Sequence, residues 1–289
     1  MEHLDALKAF YRLPEQEFNI IQARVIKKYT RNKTPVSKPT AIIIGGQPGS
    51  GKSELIIEAL HLLKDNAVVC NADDFRDFHP KADEIKQMHE RFYPEITADY
   101  SQPWNDALME HCENNGFNYI LETTFSSGDR MNDTIAQIKA KGYRVIIMLL
   151  AIPAPLSILG THIRFEEMKR IEGVGRLVDL KTHQDKFLAI PGTLQKVQEA
   201  GLYENLYIYG RRNIQRKSIS KTGVNLIAHN PADPVKTYLQ ERDKELSAEY
   251  LNYFYSARLN VLEMMIKRGA GLPEVKAFLK NSKFDDMDL

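Results

Sequence analysis

Residues 41–53 read AIIIGGQPGSGKS, and a helical pattern, SELIIEALHLLK, runs on from Ser53. A short, wholly apolar run ends in glycines, and residues 46–53 then match G-x-x-x-x-G-K-S. Each part of that octet has a mechanical use. Gly46, Gly49 and Gly51, with Gln47, Pro48 and Ser50 between them, form a loop whose glycines let backbone N–H groups converge on phosphate oxygens. The helix that begins near Lys52 adds its N-terminal partial positive charge. In such a strand–loop–helix unit, Lys52 reaches the β- and γ-phosphates and the Ser53 hydroxyl ligates Mg²⁺. The octet predicts binding of ATP with Mg²⁺.

Strand and helix patterns alternate beyond it. AVVCNA (67–72), NYILET (118–123) and RVIIMLLAI (144–152) read as buried strands, and residues 83–92, 104–115 and 129–141 as helices. Strands that are apolar throughout and alternate with helices predict a parallel sheet covered on both faces. NLYIYG (205–210) and GVNLIA (223–228) are candidate further strands. The first thirty residues have helical spacing broken at Pro14, TRNKTPVSKPT (30–40) reads as a linker, and the chain turns helical again from about residue 233. The expected class is α/β with a P-loop kinase fold: a central, mostly parallel sheet flanked by helices. The expected division is an N-terminal helical segment (1–35), a core (36–230) and a C-terminal helical extension packed on it (231–289).

Composition narrows the function. The formal net charge of +1 on 289 residues supplies no field that would favour nucleic acid or an anionic membrane. The basic stretch RRNIQRKSISK (211–221) lacks aromatic stacking partners and reads as a solvated loop. Cys70 and Cys112 lie far apart and read as buried thiols of a reducing compartment. The N-terminus lacks the pattern of a signal peptide and the longest apolar run is too short to span a bilayer, so a cytoplasmic location is expected. The histidines 79, 89, 111, 162 and 183 show no zinc-type spacing, and Trp104 reads as core.

In an open parallel sheet, ligands lie beyond the carboxyl ends of the strands. The second strand runs into NADDFRDFHP, which puts Asp73 and Asp74 at that edge. Either is placed to take the proton of an attacking hydroxyl, and either could instead cap a helix. The third strand ends in Glu122, followed by Thr123 and Thr124, again at the ligand edge. The segment LGTHIRFEEMKRIEGVGR (159–176) offers Arg164, Lys169, Arg170 and Arg176 as cations to follow a migrating phosphoryl group, or as a solvated helix face.

Taken in order, GGQPGSGKS, NADDFRDFHP, an ETT turn, AKGYRV, LGTHIRFE and GVGR resemble the zeta toxin family over roughly residues 38–212. The resemblance implies a phosphotransferase that moves the ATP γ-phosphate to a hydroxyl of UDP-N-acetylglucosamine and is restrained by a small helical antitoxin. By position it implies Lys52 as the ATP lysine, Asp73 as the catalytic aspartate, and Arg164 and Arg176 as the arginines that contact the triphosphate. Asp106, Glu122 and Thr124 would bind substrate. The chain departs from the family where an arginine is expected after the ETT turn: Ser126 stands there, and Arg130 is the nearest substitute. Asn71 stands where an acidic residue is frequent, and Asp106 where glutamate is commoner. These changes bear on the acceptor, so other nucleotide sugars or dinucleotides stay open. Two further readings are a polynucleotide or tRNA kinase, which predicts salt-sensitive binding, and a nucleotide-gated binding switch, which needs no base.

Overall fold

The computed structural model describes residues 2–211 and 223–282. Its centre is a six-stranded sheet in the order β2-β3-β1-β4-β5-β6. The strands are β1 (Thr40–Gly45), β2 (Val68–Cys70), β3 (Tyr119–Thr123), β4 (Arg144–Leu150), β5 (Asn205–Arg211) and β6 (Val224–His229). The first five are parallel, and β6 joins the edge antiparallel to β5.

The reason for a two-faced sheet is legible in β1 and β4. Ala41 and Ile43, with Val145, Ile147 and Leu149, point into one core. Ile42 and Ile44, with Ile146, Met148 and Leu150, point into the other. Successive side chains alternate faces, so a strand apolar at every position needs helices on both sides. Helix α3 (Lys52–Leu62) covers one face through Leu55 and Ala59. Helices α2 (Glu15–Thr30), α5 (Tyr93–Asn115), α6 (Asp129–Ala140) and α8 (Leu180–Ala200) cover the other.

The N-terminal helices join this scaffold. Ile21 and Val25 of α2 lie in the larger core, and Phe18 stacks on the buried Trp104. Helix α1 (Glu2–Phe10) packs Leu7 into a smaller cluster with Tyr11, Ile85 of α4 (Ala82–His89) and Ile96 of α5. At the C-terminal end, α9 (Pro234–Arg242) buries Tyr238 in the larger core, and α10 (Ala248–Lys267) and α11 (Leu272–Asn281) pack Phe254, Val261, Met265 and Phe278 around Leu159 of α7 (Ala154–Glu172). Arg268 forks onto the buried Glu166 of α7, with Nε 2.6 Å and Nη2 2.8 Å from its carboxylate, which ties the extension to the core.

One helix differs from its sequence reading. Pattern alone starts a helix at 104, after Pro103, but α5 runs unbroken from Tyr93 through Pro103. Ile96, Thr97, Ser101, Trp104, Asn105 and Leu108 are all buried along it. Tertiary packing of that stripe overrides the proline, which costs a backbone hydrogen bond but leaves the chain helical on both sides. Strand β2 is shorter than its pattern because Asn71 caps a 3₁₀ turn, Ala72–Phe78, by accepting from the Asp73 N–H at 3.1 Å. Apart from Arg211, the basic stretch 211–221 lies outside the described residues.

Candidate active site

The glycine loop leaves β1 at Gly45 and enters α3 at Lys52. Gly49 and Gly51 have φ of 74° and 92°, which residues with a Cβ adopt only under strain. The loop is also pressed against α7. A Cβ on Gly49 would overlap the Ser157 carbonyl oxygen and sit 2.7 Å from the Thr161 nitrogen, and one on Gly160 would overlap the Gly49 carbonyl oxygen. Gly51 lies under the Arg211 guanidinium, where a Cβ would be 2.8 Å from Nη2.

Gln47 anchors the loop from beneath. Its amide donates to the Ile152 carbonyl at 2.7 Å and to Ser157 Oγ at 3.2 Å. Ser157 Oγ is 2.9 Å from His183 Nε2 on α8. Burial pushes the His183 imidazole down to about 4, from an ordinary value near 6.5. The unfolded chain therefore takes up a proton that the folded chain refuses. Stability from this group is complete above about pH 6.5, falls on acidification and is lost below about pH 4, a contribution of at most about 3 kcal/mol. A plot of thermal midpoint against pH should flatten over that window in His183→Asn. Parallel curves for the two proteins would exclude His183 as the titrating group.

Lys52 folds back over the loop, donating to the Gly46 carbonyl at 3.0 Å, with its ammonium 3.6 Å from Glu122 Oε1. Burial lowers its pKa, and the Glu122 carboxylate offsets that only in part. Glu122 Oε2 also accepts from Asn71 Nδ2 at 3.1 Å, and the same amide donates to Asp74 Oδ1 at 3.2 Å. Asn71 thus joins the ends of β2 and β3. Burial, with Glu122 and Asp73 as like charges, pushes Asp74 up to about 6.

Asp73 is the point of convergence. Oδ1 accepts from Arg76 Nε at 3.0 Å and Nη2 at 2.8 Å, and Arg176 Nη1 lies 3.1 Å from both carboxylate oxygens. Burial alone would raise its pKa, but Arg176 and Arg76 outweigh it and hold Asp73 below the usual carboxylate range. Arg164 stands on the same cleft, of about 400 Å³, with no hydrogen bond or ion pair to the described residues. The loop that carries Arg176 is fastened down: Glu90 accepts from the Gly175 N–H at 2.5 Å and pairs with Lys169 at 2.6 Å. Lys86 bridges Asp77 at 2.8 Å and Glu172 at 3.3 Å.

The turn that follows β3 has its own geometry. Phe125 adopts φ of 53° and is fully buried. It packs against Gly45, where a Cβ would lie 2.5 Å from Leu149 Cδ2. Thr124 Oγ1 and Ser126 Oγ are 2.7 Å apart at the surface of that turn. The structure therefore gathers Lys52, Asp73, Glu122, Arg164 and Arg176 in one place. Asp106 on α5 and Arg130 on α6 are exposed and make no hydrogen bond or ion pair to that group. Arg76 and Glu90 escaped the sequence reading. The Asp73-x-x-Arg76 spacing, one helical turn, was the available signal for the first; Glu90 has none, since its partners are about eighty residues away.

The sequence model of the zeta toxin family matches residues 23–221. The chain belongs to the zeta toxin family. It is 30% identical to Toxin PezT of Streptococcus pneumoniae over 198 residues, 68% of this chain and 78% of PezT. It is 28% identical to Toxin zeta of Enterococcus hirae over 216 residues, 74% of each. A solved chain of the PezAT chromosomal toxin–antitoxin system of Streptococcus pneumoniae superposes with a TM-score of 0.74, covering 88% of this chain and 98% of that one at 24% identity. At that identity the superposition speaks for the fold, a mostly parallel α/β sheet with flanking helices consistent with a P-loop kinase. No described helix of this zeta-family chain is long and apolar enough to cross a membrane.

The loop fits a triphosphate with Mg²⁺ on its own geometry. Ser50 Oγ is buried without a partner among the described residues, and its hydroxyl can donate to a phosphate oxygen. Ser53, on the first turn of α3, is exposed and makes no hydrogen bond to them. A loop of positive-φ glycines at a helix N-terminus, with Lys52 folded over it and Arg164 and Arg176 nearby, suits an anion of high charge density.

Proposed function

We propose that this zeta-family protein is a kinase that transfers the γ-phosphate of ATP to a hydroxyl of a nucleotide sugar, with UDP-N-acetylglucosamine as the first candidate, and that it acts as a toxin. The observation that carries the reading is a carboxylate, Asp73, paired with Arg176 beside the phosphate loop, with Lys52 and Arg164 close enough to act on its charge. A binding switch needs no such carboxylate. Residues 46–53 hold the triphosphate, and Ser53 would hold Mg²⁺, which supplies charge neutralisation at the phosphate oxygens.

The chain's own groups do the rest. Asp73 accepts the proton as the acceptor oxygen bonds to the γ-phosphorus. The bond from that phosphorus to the β–γ bridging oxygen breaks, and the nucleoside diphosphate leaves with the electron pair. Lys52, Arg164 and Arg176 track the negative charge from one side of the transfer to the other. Glu122 and Thr124, with Asp106 and Arg130 as the outlying members, bind the acceptor. Positioning supplies much of the acceleration.

The relative whose structure superposes belongs to a toxin–antitoxin system, and a small helical antitoxin is the partner we propose here. The test is ATP-dependent phosphorylation of a panel of nucleotide sugars, read by mass spectrometry. The expected result is one added phosphate on UDP-N-acetylglucosamine. ATP bound without transfer to any sugar would overturn the acceptor class and favour nucleic-acid ends or dinucleotides.

A further inference from the structure

We infer that Arg76 is a positioning residue for Asp73, fixing the carboxylate so that Oδ1 is filled and Oδ2 is the oxygen that takes the acceptor's proton. The inference rests on the kinase reading above and deepens it. Three N–H contacts fall on Oδ1: Arg76 Nε at 3.0 Å, Arg76 Nη2 at 2.8 Å and Arg176 Nη1 at 3.1 Å. Oδ2 has one, the shared Arg176 Nη1 at 3.1 Å. A carboxylate oxygen has two lone pairs, so Oδ1 has none to spare while Oδ2 keeps one for an incoming hydroxyl.

The two arginines differ in what holds them. Arg76 is 8% exposed, and its remaining nitrogen, Nη1, donates to Thr97 Oγ1 at 3.1 Å and to the Pro94 carbonyl. Thr97 Oγ1 in turn donates to the Tyr93 carbonyl at 2.6 Å. The guanidinium is therefore pinned between the 3₁₀ turn and the first turn of α5, two elements of the rigid scaffold. Arg176 comes from a loop 103 residues away in the chain and is more than a third exposed. An arginine free to follow a phosphoryl group cannot also fix the base; a buried one, forked on one oxygen, can.

The other charges that face Asp73 are Arg164 of α7, Lys52 of α3 and Asp74 on its own turn. All are kept constant in the test. The full chain, labelled with carboxyl-¹³C aspartate, is titrated by NMR in the wild type and in Arg76→Met, with Asp73→Asn to assign the resonance. The Asp73 midpoint is expected to rise by about one unit or more in Arg76→Met. The kcat should fall at least about tenfold, with its acid limb moved to higher pH and the KM for ATP within about twofold. Arg76→Lys should restore part of the midpoint, since the charge returns, and little of kcat, since an ammonium cannot fork. If Arg76→Met does not fold, Thr97→Val removes the anchor alone and should move kcat and midpoint the same way by less. An unshifted midpoint in a folded variant, with phosphoryl transfer intact in the wild type, overturns the assignment to Arg76. A shifted midpoint with no transfer by the wild type overturns the kinase reading instead.

Discussion

Asp73→Asn should lower phosphoryl transfer by about 10²–10⁴-fold, the usual contribution of a positioned general base, while ATP binding stays as tight as in the wild type or becomes tighter. The sign of the second half follows from the ion pair. Arg176 Nη1 sits 3.1 Å from both Asp73 oxygens, so a triphosphate that recruits Arg176 must compete with that carboxylate. Removing its charge frees the arginine and takes an anion away from the phosphates. The carboxamide keeps the size of the side chain, and Arg76 remains held by Thr97 and Pro94. Single-turnover transfer read by mass spectrometry gives the first quantity, and titration of a fluorescent ATP analogue the second. Transfer within threefold of wild type would remove Asp73 from the chemistry. Loss of both transfer and binding would make it part of the nucleotide site.

The largest expected effect on stability is at the contact between the phosphate loop and α7. Gly49→Ala places a Cβ onto the Ser157 carbonyl oxygen at a φ of 74°, and Gly160→Ala places one onto the Gly49 carbonyl oxygen. Both clashes are with backbone, which cannot swing aside as a side chain does. Overpacking typically costs about 1–3 kcal/mol, and the left-handed backbone at Gly49 adds about 1–2 kcal/mol for a residue with a Cβ. Gly49→Ala is therefore expected to lose about 3 kcal/mol or more of unfolding free energy in urea, together with nucleotide binding. Gly192→Ala is the control: it lies within α8 with open space around its Cβ position, and should gain about 0.5–1 kcal/mol from helix propensity. Equal effects at positions 160 and 192 would mean that the loop does not rest on α7.

The Ser126 departure has a structural side as well. Phe125 turns under Gly45 in a left-handed conformation, which fixes where the turn's hydroxyls emerge. Ser126 then pairs with Thr124 at 2.7 Å, so the turn presents two hydroxyls and no cation at its tip. On the proposed kinase reading, an acceptor sugar at this turn would meet hydroxyl hydrogen bonds and no cation to pair with a phosphate.

The sequence by itself determined the octet at residues 46–53, the parallel sheet and the placement of carboxylates at its ligand edge. These follow from short-range rules: a glycine loop between strand and helix, strands apolar on both faces, and chain order that brings each strand end to the same side. Beyond the one-turn spacing that offers Arg76, the tertiary structure decided which cations meet Asp73. Arg176 reaches it from 103 residues away, and Arg76 is aimed by Thr97 and Pro94 of a helix whose path through Pro103 no local pattern allowed. It also decided that His183, an ordinary histidine by spacing, supports the loop through Ser157 and Gln47. The division has a physical cause. Periodicity encodes which face of an element is apolar, whereas a hydrogen bond between distant segments depends on angstrom-scale packing of the elements that carry them, which the order of residues expresses only through the whole fold.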